Sequence, residues 1–360
     1  MASQFCFELC PKVPSTALRR ARELAVFDET CGTHIAPQTA PLYKSEHSDT
    51  HDLRRLSACN NSTATGEDGV NTVRVYRDYD QEALDLQYNN RAAAPGFADH
   101  IQRYRTLTDE AKLKLKCIEN LAYGTAPEET LDLYRALQDS APVLIFVHGG
   151  AWQHLGKDDS GFAANAFVPV GAMVASLNFG HAPDATLDTM VNQVRRAVAW
   201  LWHNVMSYGG DPQKLFIAGH SSGAHLVSQC LTANWQGEYE CPNDVIKGAL
   251  FASGLGDLEP VRLSYRNALL KLDAQAVKRL SLVHQQPTVK CPLIVAYASS
   301  DTAEFRRQTR EVGEYWRRHG LATEFIEVAD SCHYDVVLDL AEPKSELFLS
   351  CARQMALCLS

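Results

Sequence analysis

Residues 215–225 read LFIAGHSSGAH, and this stretch decides the fold. Its first three letters form an apolar run typical of a buried strand, and residues 224–233 have helical spacing. Between them, Gly219, Ser221 and Gly223 give the pattern G-x-S-x-G. On a turn from strand to helix, this pattern exposes a serine hydroxyl, because glycines let the two elements approach closely. We therefore predict Ser221 as a nucleophile; a plain Gly/Ser-rich turn is the alternative.

The surrounding pattern predicts an α/β fold, with a mostly parallel central sheet flanked by helices on both faces. Apolar runs predict strands at residues 143–147, 172–179, 215–218, 245–253, 293–298 and 323–328. Helical spacing is found at residues 187–208, 224–233, 303–319, 336–340 and 343–357. Upstream, we predict helical pieces at residues 80–88, 97–105 and 108–115, and either an edge strand or a short helix at 129–137.

A serine nucleophile needs a base, and the base needs an acid to orient it. Asp301 and His333 each follow a predicted strand, so they are expected at the same edge of the sheet as Ser221. The order Ser, Asp, His is the one used by serine hydrolases built on such a sheet. The sequence therefore predicts a catalytic triad of Ser221, Asp301 and His333.

Each of these roles has competitors. Asp257 also follows a strand and is the alternative acid, whereas Asp330 is too close to His333 in sequence to orient it. Cys332 beside His333 raises the alternative of a cysteine nucleophile, but the sequence gives it no strand-to-helix turn. We favour Asp301 as the acid.

The segment HGGAW at residues 148–152 follows the strand predicted at 143–147. Gly149 and Gly150 lack side chains, so their amides can turn into the cleft and bind a developing oxyanion. The amide of Ser222, the residue after the nucleophile, supplies a third donor. One such donor typically lowers the barrier by about 3 kcal/mol. We predict an oxyanion hole from these three amides.

Other residues of these two segments are expected to have supporting roles. His148, Ala151 and Trp152 complete the HGGAW motif with the two glycines. We expect His148 to support the loop. Trp152 either packs the loop or contacts substrate, and packing is favoured. His220 and His225 flank the serine and are expected to pack or to point away.

Composition restricts the partners. The 360 residues carry a formal charge of −9, which argues against nucleic acid or an anionic membrane surface. No apolar run reaches membrane-spanning length, and no signal peptide is recognised at the N-terminus. The 11 cysteines include no C-x-x-C pair, so we expect a cytoplasmic protein without a metal site. We expect a small-molecule substrate; a homodimer is a hypothesis.

Residues 1–75 lack a clear period and are rich in polar residues, so we predict a poorly ordered extension. Residues 76–360 form the predicted hydrolase domain. Over that domain the sequence resembles the kynurenine formamidases (arylformamidases), a family of the α/β-hydrolase fold. The matching segments are YNNR at 88–91, YG at 123–124, HGGAW at 148–152, GHSSGAH at 219–225, SGLGDLEPV at 253–261, LSYRN at 263–267, DTAEFRRQ at 301–308 and SCHYD at 331–335.

The resemblance implies hydrolysis of N-formyl-L-kynurenine to L-kynurenine and formate, without metal or cofactor. It places Ser221, Asp301 and His333 in the catalytic roles given above. Gly256 departs from the family pattern, in which a larger residue is expected, so we expect the pocket to differ there. A broad carboxylesterase of the same fold is the alternative, because HGGAW also resembles the glycine loops of lipases. An inactive hydrolase-like binding domain is a remote one.

Overall fold

The computed structural model describes residues 73–94 and 96–359. Nearly all of the predicted extension lies outside the described residues, so its disorder stays a prediction, as does the boundary at residue 75. Within the described part of the chain, no helix has the length and apolar character to cross a membrane.

One eight-stranded sheet organises the described residues, in the order β1-β2-β4-β3-β5-β6-β7-β8. Its strands are β1 Cys117–Ala122, β2 Thr130–Tyr134, β3 Ala141–Val147, β4 Met173–Leu177, β5 Gly210–His220, β6 Ile246–Ala252, β7 Leu293–Ala298 and β8 Thr323–Val328. The six strands from β3 to β8 pair in parallel, and β2 pairs antiparallel with both β1 and β4. The predicted mostly parallel sheet is confirmed.

Helices cover both faces of this sheet. Over the described residues they are α1 Gln81–Gln87, α2 Asn90–Ala93, α3 Phe97–Lys114, α4 Ala164–Phe167, α5 Leu187–Asn204, α6 Ser222–Cys230, α7 Trp235–Tyr239, α8 Glu259–Leu263, α9 Asn267–Leu270, α10 Ala274–Leu280, α11 Ala303–Arg318 and α12 Glu346–Gln354. Short 3₁₀ turns lie at Lys157–Asp159, Val205–Tyr208, Leu282–His284 and Leu338–Ala341.

The central strands are apolar on both faces because each face packs on its own helical layer. In β3, Val143, Ile145 and Val147 point into a core shared with α5, α6 and α11. The alternate residues Leu144 and Phe146 point into a second core shared with α3, α4 and α12. Burial on both faces explains why these strands read as continuous apolar runs rather than as alternating patterns.

The N-terminal half departs from the prediction in its helices. The pieces predicted at 97–105 and 108–115 are one helix, α3, since neither glycine nor proline interrupts them. Tyr104, Thr108 and Ala111 form one buried face of α3. The Thr108 hydroxyl accepts a hydrogen bond from the amide of Gly161, which holds the middle of α3 against the next loop.

The edge of the sheet also differs from the prediction, which missed β1. Because β1 covers β2, the strand expected at the edge lies one position inside it. Between Ile118 and Leu121 the β1–β2 register shifts, and Asn120 there has a positive φ of 58°. Its amide donates to the Asp132 carboxylate rather than to the ladder. This irregularity hides the strand's two-residue period from the sequence.

Candidate active site

Ser221, Asp301 and His333 meet at the carboxyl ends of the parallel strands. Ser221 directly follows β5, Asp301 lies in the loop after β7, and His333 lies in the loop after β8. The Ser221 Oγ lies 2.9 Å from Nε2 of His333, and Nδ1 of His333 lies 2.7 Å from Oδ1 of Asp301. All three are buried, with 7%, 4% and 4% of their surface exposed for Ser221, Asp301 and His333 respectively. The structure thus joins the three predicted residues in one hydrogen-bonded chain.

The turn that presents Ser221 is strained. Ser221 has φ 55° and ψ −121°, an unfavourable conformation for a residue with a side chain. Its amide donates to the carbonyl of Ala252 on β6, which fixes the turn against the neighbouring strand. Gly223 permits the close approach that follows, since a Cβ there would lie 2.2 Å from the Val147 carbonyl oxygen. Gly223 is therefore required by the contact between α6 and β3.

Asp301 is held as a carboxylate. Burial raises the pKa of Asp301, but the charge and hydrogen bond of His333, together with hydrogen bonds from Ser253 and Ala298, outweigh burial and lower it. The Ser253 hydroxyl and the Ala298 amide also donate to its Oδ2. An ionised Asp301 fixes the tautomer of His333 with its proton on Nδ1, which leaves Nε2 to accept from the Ser221 hydroxyl.

The competing acids lie elsewhere. Asp257 accepts hydrogen bonds from the Tyr76 hydroxyl at 3.3 Å and from the Glu259 amide at 2.9 Å. Asp330 is exposed. Neither carboxylate forms an ion pair with His333 in the described part of the chain, whereas Asp301 does.

Cys332 belongs to a different cluster. Its Sγ lies 3.7 Å from Nε2 of His100, whose Nδ1 pairs with Asp335 at 2.7 Å. Burial raises the pKa of the Cys332 thiol, so the protonated form is favoured. A protonated thiol is a poor nucleophile, which agrees with the sequence argument against a cysteine nucleophile.

His220 supports the loop that carries His333. Its Nε2 donates to the main-chain carbonyl of His333 at 2.8 Å, and the two rings lie 4.9 Å apart. Burial lowers the pKa of His220 to about 3, so the ring is neutral at ordinary pH. The expectation that His220 packs is correct, but its ring also lines the cavity beside Ser221.

The HGGAW loop is anchored by its two largest side chains. His148 stacks on Phe179 with ring centroids 4.2 Å apart, and burial lowers its pKa to about 3. Trp152 is 1% exposed, and its indole nitrogen donates to Nδ1 of His225 at 3.3 Å. Nε2 of His225 in turn donates to the Leu280 carbonyl. Trp152 therefore packs the loop, and it is not among the described residues that line the cavity beside Ser221.

The predicted oxyanion donors surround the serine. A Cβ at Gly149 would lie 3.2 Å from the Ser221 Cβ, so this backbone passes directly beside the nucleophile. Gly150, with φ 104°, lines the cavity, and a Cβ there would lie 2.0 Å from the His154 carbonyl oxygen. Ser222 begins α6, where the first amides have no partner within the helix.

A left-handed turn continues past the glycines, because Ala151 and Trp152 also have positive φ values of 57° and 61°. The Trp152 amide donates to the Ser222 hydroxyl at 3.2 Å. Ala151 lines the cavity together with Gly150. The turn thus joins the HGGAW loop to the start of α6.

A cavity of about 730 Å³ opens beside Ser221 and His333. Its wall includes residues that the sequence analysis did not assign to the site, namely Asn90, Arg91, Phe97, Ile101, Tyr104, Tyr265, Arg266 and Tyr334. Several belong to the YNNR, LSYRN and SCHYD segments, and the family resemblance of these segments is the sequence feature that could have indicated them. Gly256 is not part of this wall. It faces Val312 in the core, so the expected effect of Gly256 on the pocket is wrong.

Comparisons with known proteins agree with this geometry. A family model described as BD-FAE matches residues 131–248. The kynurenine formamidase of Danio rerio is 32% identical over 280 residues, which cover 74% of this chain and 94% of that protein. The chain belongs to the kynurenine formamidase family. The kynurenine formamidase of Salmo salar is 30% identical with the same coverage. As a member of this family, the chain is a serine hydrolase acting on a small molecule.

More distant relatives of this kynurenine formamidase family member share its fold. Esterase LipQ of Mycobacterium tuberculosis is 31% identical over 196 residues, covering 52% of this chain and 46% of that protein. A solved structure from a Silicibacter species has a TM-score of 0.66 at 25% identity and covers 74% of this chain and 97% of that one. Esterase B of Lactobacillus rhamnosis has a TM-score of 0.56 at 16% identity, covering 75% and 96%. The α/β-hydrolase fold is confirmed.

Proposed function

We propose that this chain hydrolyses N-formyl-L-kynurenine to L-kynurenine and formate, with Ser221 as nucleophile, His333 as base and Asp301 as orienting acid. One observation carries the proposal: the Ser221–His333–Asp301 hydrogen-bonded chain lies in a member of the kynurenine formamidase family. A binding domain without activity would not need this arrangement.

The first half of the reaction transfers the formyl group. Nε2 of His333 takes the hydroxyl proton of Ser221, and Oγ bonds to the formyl carbon, whose carbonyl oxygen becomes an oxyanion. The amides of Gly149, Gly150 and Ser222 donate to this oxygen. The C–N bond then breaks, and the departing arylamine nitrogen takes the proton from His333. L-kynurenine leaves, and Ser221 carries a formyl ester.

The second half releases formate. A water molecule gives a proton to His333 and bonds to the formyl carbon, forming a second tetrahedral intermediate on the same oxyanion donors. The C–Oγ bond breaks, and His333 returns the proton to Ser221. Asp301 stays ionised throughout and stabilises the imidazolium that forms in each half. The cycle consumes one water and restores the enzyme.

A broad carboxylesterase is the second candidate, because the same machinery cleaves esters and esterases are among the relatives. The discriminating measurement compares kcat/KM for N-formyl-L-kynurenine with that for p-nitrophenyl acetate. We expect turnover of the formamide, and loss of both activities in Ser221→Ala. Turnover of the ester without turnover of the formamide would replace our proposal with the esterase.

We further propose that residues 76–360 form the hydrolase domain and that the protein works in the cytoplasm without binding nucleic acid. All seven cysteines within the described residues are unpaired thiols, which supports a reducing compartment. The homodimer stays a hypothesis, which sedimentation of the purified chain tests directly.

A further inference from the structure

Two of the three arginines that line the cavity beside Ser221 have no carboxylate partner among the described residues. Arg91, Arg105 and Arg266 line it, and its described wall contains neither aspartate nor glutamate. The chain as a whole is negative, with a formal charge of −9. Arg105 is paired with Asp159, at 2.6 Å. Arg91 and Arg266, by contrast, form no ion pair with any carboxylate of the described residues.

The Arg266 guanidinium is fixed by the main chain. Its Nε and Nη2 both donate to the carbonyl of Tyr88, and it lies 5.5 Å from the ring centroid of Tyr265. A guanidinium has five N–H groups, so donors remain after this contact. Burial lowers the pKa of Arg266, and the charge of Arg91 acts in the same direction. Arg266 is thus a preorganised cation close to a second cation.

Arg91 approaches the same place from helix α2. Its guanidinium lies 4.8 Å from the ring centroid of Phe97, which also lines the cavity. His154 and Tyr334 are influenced by both arginines: burial lowers the pKa of His154 and both charges lower it further. Burial raises the pKa of Tyr334, and both charges oppose this rise. The two guanidiniums therefore act on one part of the cavity.

Asn90 provides an independent observation at this place. It precedes Arg91 on α2, lines the cavity and is only 4% exposed. Its side-chain oxygen is buried and has no hydrogen-bond partner among the described residues. A buried acceptor left without a donor costs about 1–3 kcal/mol. An N–H group of a bound ligand would remove that cost.

We propose that Arg91 and Arg266 bind the carboxylate of an α-amino acid substrate and that Asn90 accepts a hydrogen bond from its ammonium group. Two converging cations attract an anion, and guanidinium groups match the geometry of a carboxylate. The inference rests on the proposed function only for the identity of the reacting formamide. Such a subsite would let a hydrolase of this fold prefer a charged amino acid to a neutral ester.

The test uses direct binding, so that it does not depend on turnover. L-kynurenine and its neutral carboxamide are titrated calorimetrically into the purified full chain and into Arg91→Gln, Arg91→Lys, Arg266→Gln and Asn90→Leu. We expect the Kd of L-kynurenine to rise roughly 10- to 100-fold in both Arg→Gln variants. The carboxamide should bind more weakly to the unmodified chain and should not respond to Arg91→Gln. The Kd of L-kynurenine for Arg91→Lys should lie between the values for the unmodified chain and for Arg91→Gln.

Asn90→Leu tests the ammonium contact separately. In this variant the Kd of L-kynurenine should rise about tenfold. The Kd of 3-(2-aminobenzoyl)propionate, which lacks the ammonium group, should stay unchanged. Arg103→Gln is the matched control, because Arg103 is an exposed arginine of α3 that is not among the residues lining the cavity. It should leave the Kd of L-kynurenine unchanged. Arg91 is exposed, so its variants test the subsite even if Arg266→Gln loses the fold.

The outcomes separate the two proposals. Equal affinity for L-kynurenine and its carboxamide, or an unchanged Kd in Arg91→Gln, would overturn the carboxylate subsite while formamide hydrolysis still stood. Tight, arginine-dependent binding of L-kynurenine without turnover of N-formyl-L-kynurenine would keep the subsite and remove the proposed reaction. If Asn90→Leu raises the Kd of 3-(2-aminobenzoyl)propionate as much as that of L-kynurenine, the ammonium contact is rejected and the carboxylate subsite is unaffected.

Discussion

Nε2 of His220, the residue before the nucleophile, lies 2.8 Å from the main-chain oxygen of His333 and donates a hydrogen bond to it. One side chain therefore links the turn after β5 to the loop after β8. Because His220 is buried and burial lowers its pKa to about 3, this donor stays neutral and cannot replace His333 as the base. We infer that His220 is a positioning residue.

Replacing His220 tests that role. His220→Phe leaves the His333 carbonyl without its donor, so we expect kcat to fall about tenfold with KM nearly unchanged. His220→Gln, which restores an N–H at similar reach, should recover most of the loss. Steady-state kinetics and a pH profile of kcat measure this. Equal kcat values for the Phe variant and the unmodified enzyme would contradict the role.

Ser221→Ala should remove essentially all turnover while the chain stays folded, because only the hydroxyl at the end of the hydrogen-bonded chain is lost. Labelling by a fluorophosphonate probe, followed by mass spectrometry, should place the adduct on Ser221 and give none in the variant. Cys332→Ser is the control and should label normally. An adduct on Cys332 would reverse the assignment.

The acid can be tested by a matched pair. Asp301→Asn removes the charge that fixes His333, so we expect kcat to fall roughly 10³- to 10⁴-fold. Asp257→Asn should keep most activity, because Asp257 bonds Tyr76 and Glu259 instead. Both are measured as kcat/KM on the same substrate. A complete loss in Asp257→Asn alone would make Asp257 the acid.

Gly150→Ala places a methyl group 2.0 Å from the His154 carbonyl oxygen and strains a φ of 104°. We expect the loop to move and kcat to fall about 100-fold or more. Gly320→Ala is the control, since Gly320 has a positive φ of 73° but no atom within 4 Å of the added Cβ. The control should lower the free energy of unfolding by about 1–2 kcal/mol without changing kcat. Equal activity in both variants would reject the tight loop.

Three buried histidines make stability depend on pH. Burial lowers the pKa of His148 and His220 to about 3 and that of His225 to about 4. Below the unfolded value near 6.5, the unfolded chain binds more protons, so stability falls as pH falls. Asp301, whose pKa is also lowered, acts in the same direction but at lower pH. The contribution of these histidines to the free energy of unfolding is therefore fully present above about pH 6.5 and is lost as the pH falls.

Protonation of each of these histidines in the unfolded chain should lower the free energy of unfolding by about 2 kcal/mol between pH 7 and pH 5. Urea unfolding at the two values measures the sum, and His225→Phe should reduce the pH dependence by about one histidine's share. The variant also loses a hydrogen bond, so the slope against pH and not the absolute stability is the readout. A stability that is flat from pH 7 to pH 5 would contradict burial of these neutral rings.

The sequence could predict the triad because each of its residues lies shortly after a predicted strand: Ser221 immediately follows β5, and Asp301 and His333 lie in the loops after β7 and β8. Parallel strands bring their carboxyl ends to one edge of the sheet, so Ser221, Asp301 and His333 are expected at the same edge. The cavity wall is different. Arg266 contacts the carbonyl of Tyr88, 178 positions away, through a side chain whose direction no local period encodes. Such contacts depend on tertiary packing, which explains why these residues were missed.

Beyond the wall, β1 escaped prediction for a local reason, since Asn120 breaks its alternation with a positive φ. Helix α3 was divided because Asp109 and Glu110 are typical of the first turn of a helix, although Thr108 in the middle of α3 is buried. The strand conformation of β1 followed from its pairing with β2, and the full length of α3 followed from the packing of its buried face, rather than from the residues' own preferences.

The positions of the triad and of the cavity wall have an evolutionary consequence. Ser221, Asp301 and His333 are mounted on the rigid rim of the sheet, while Asn90 and Arg91 come from a four-residue helix outside it. If the proposed carboxylate subsite is correct, we expect changes in that helix to alter which compound is selected while leaving the triad intact. On this proposal, specialists for formamides and for esters would share the rim of the sheet and differ in these peripheral segments.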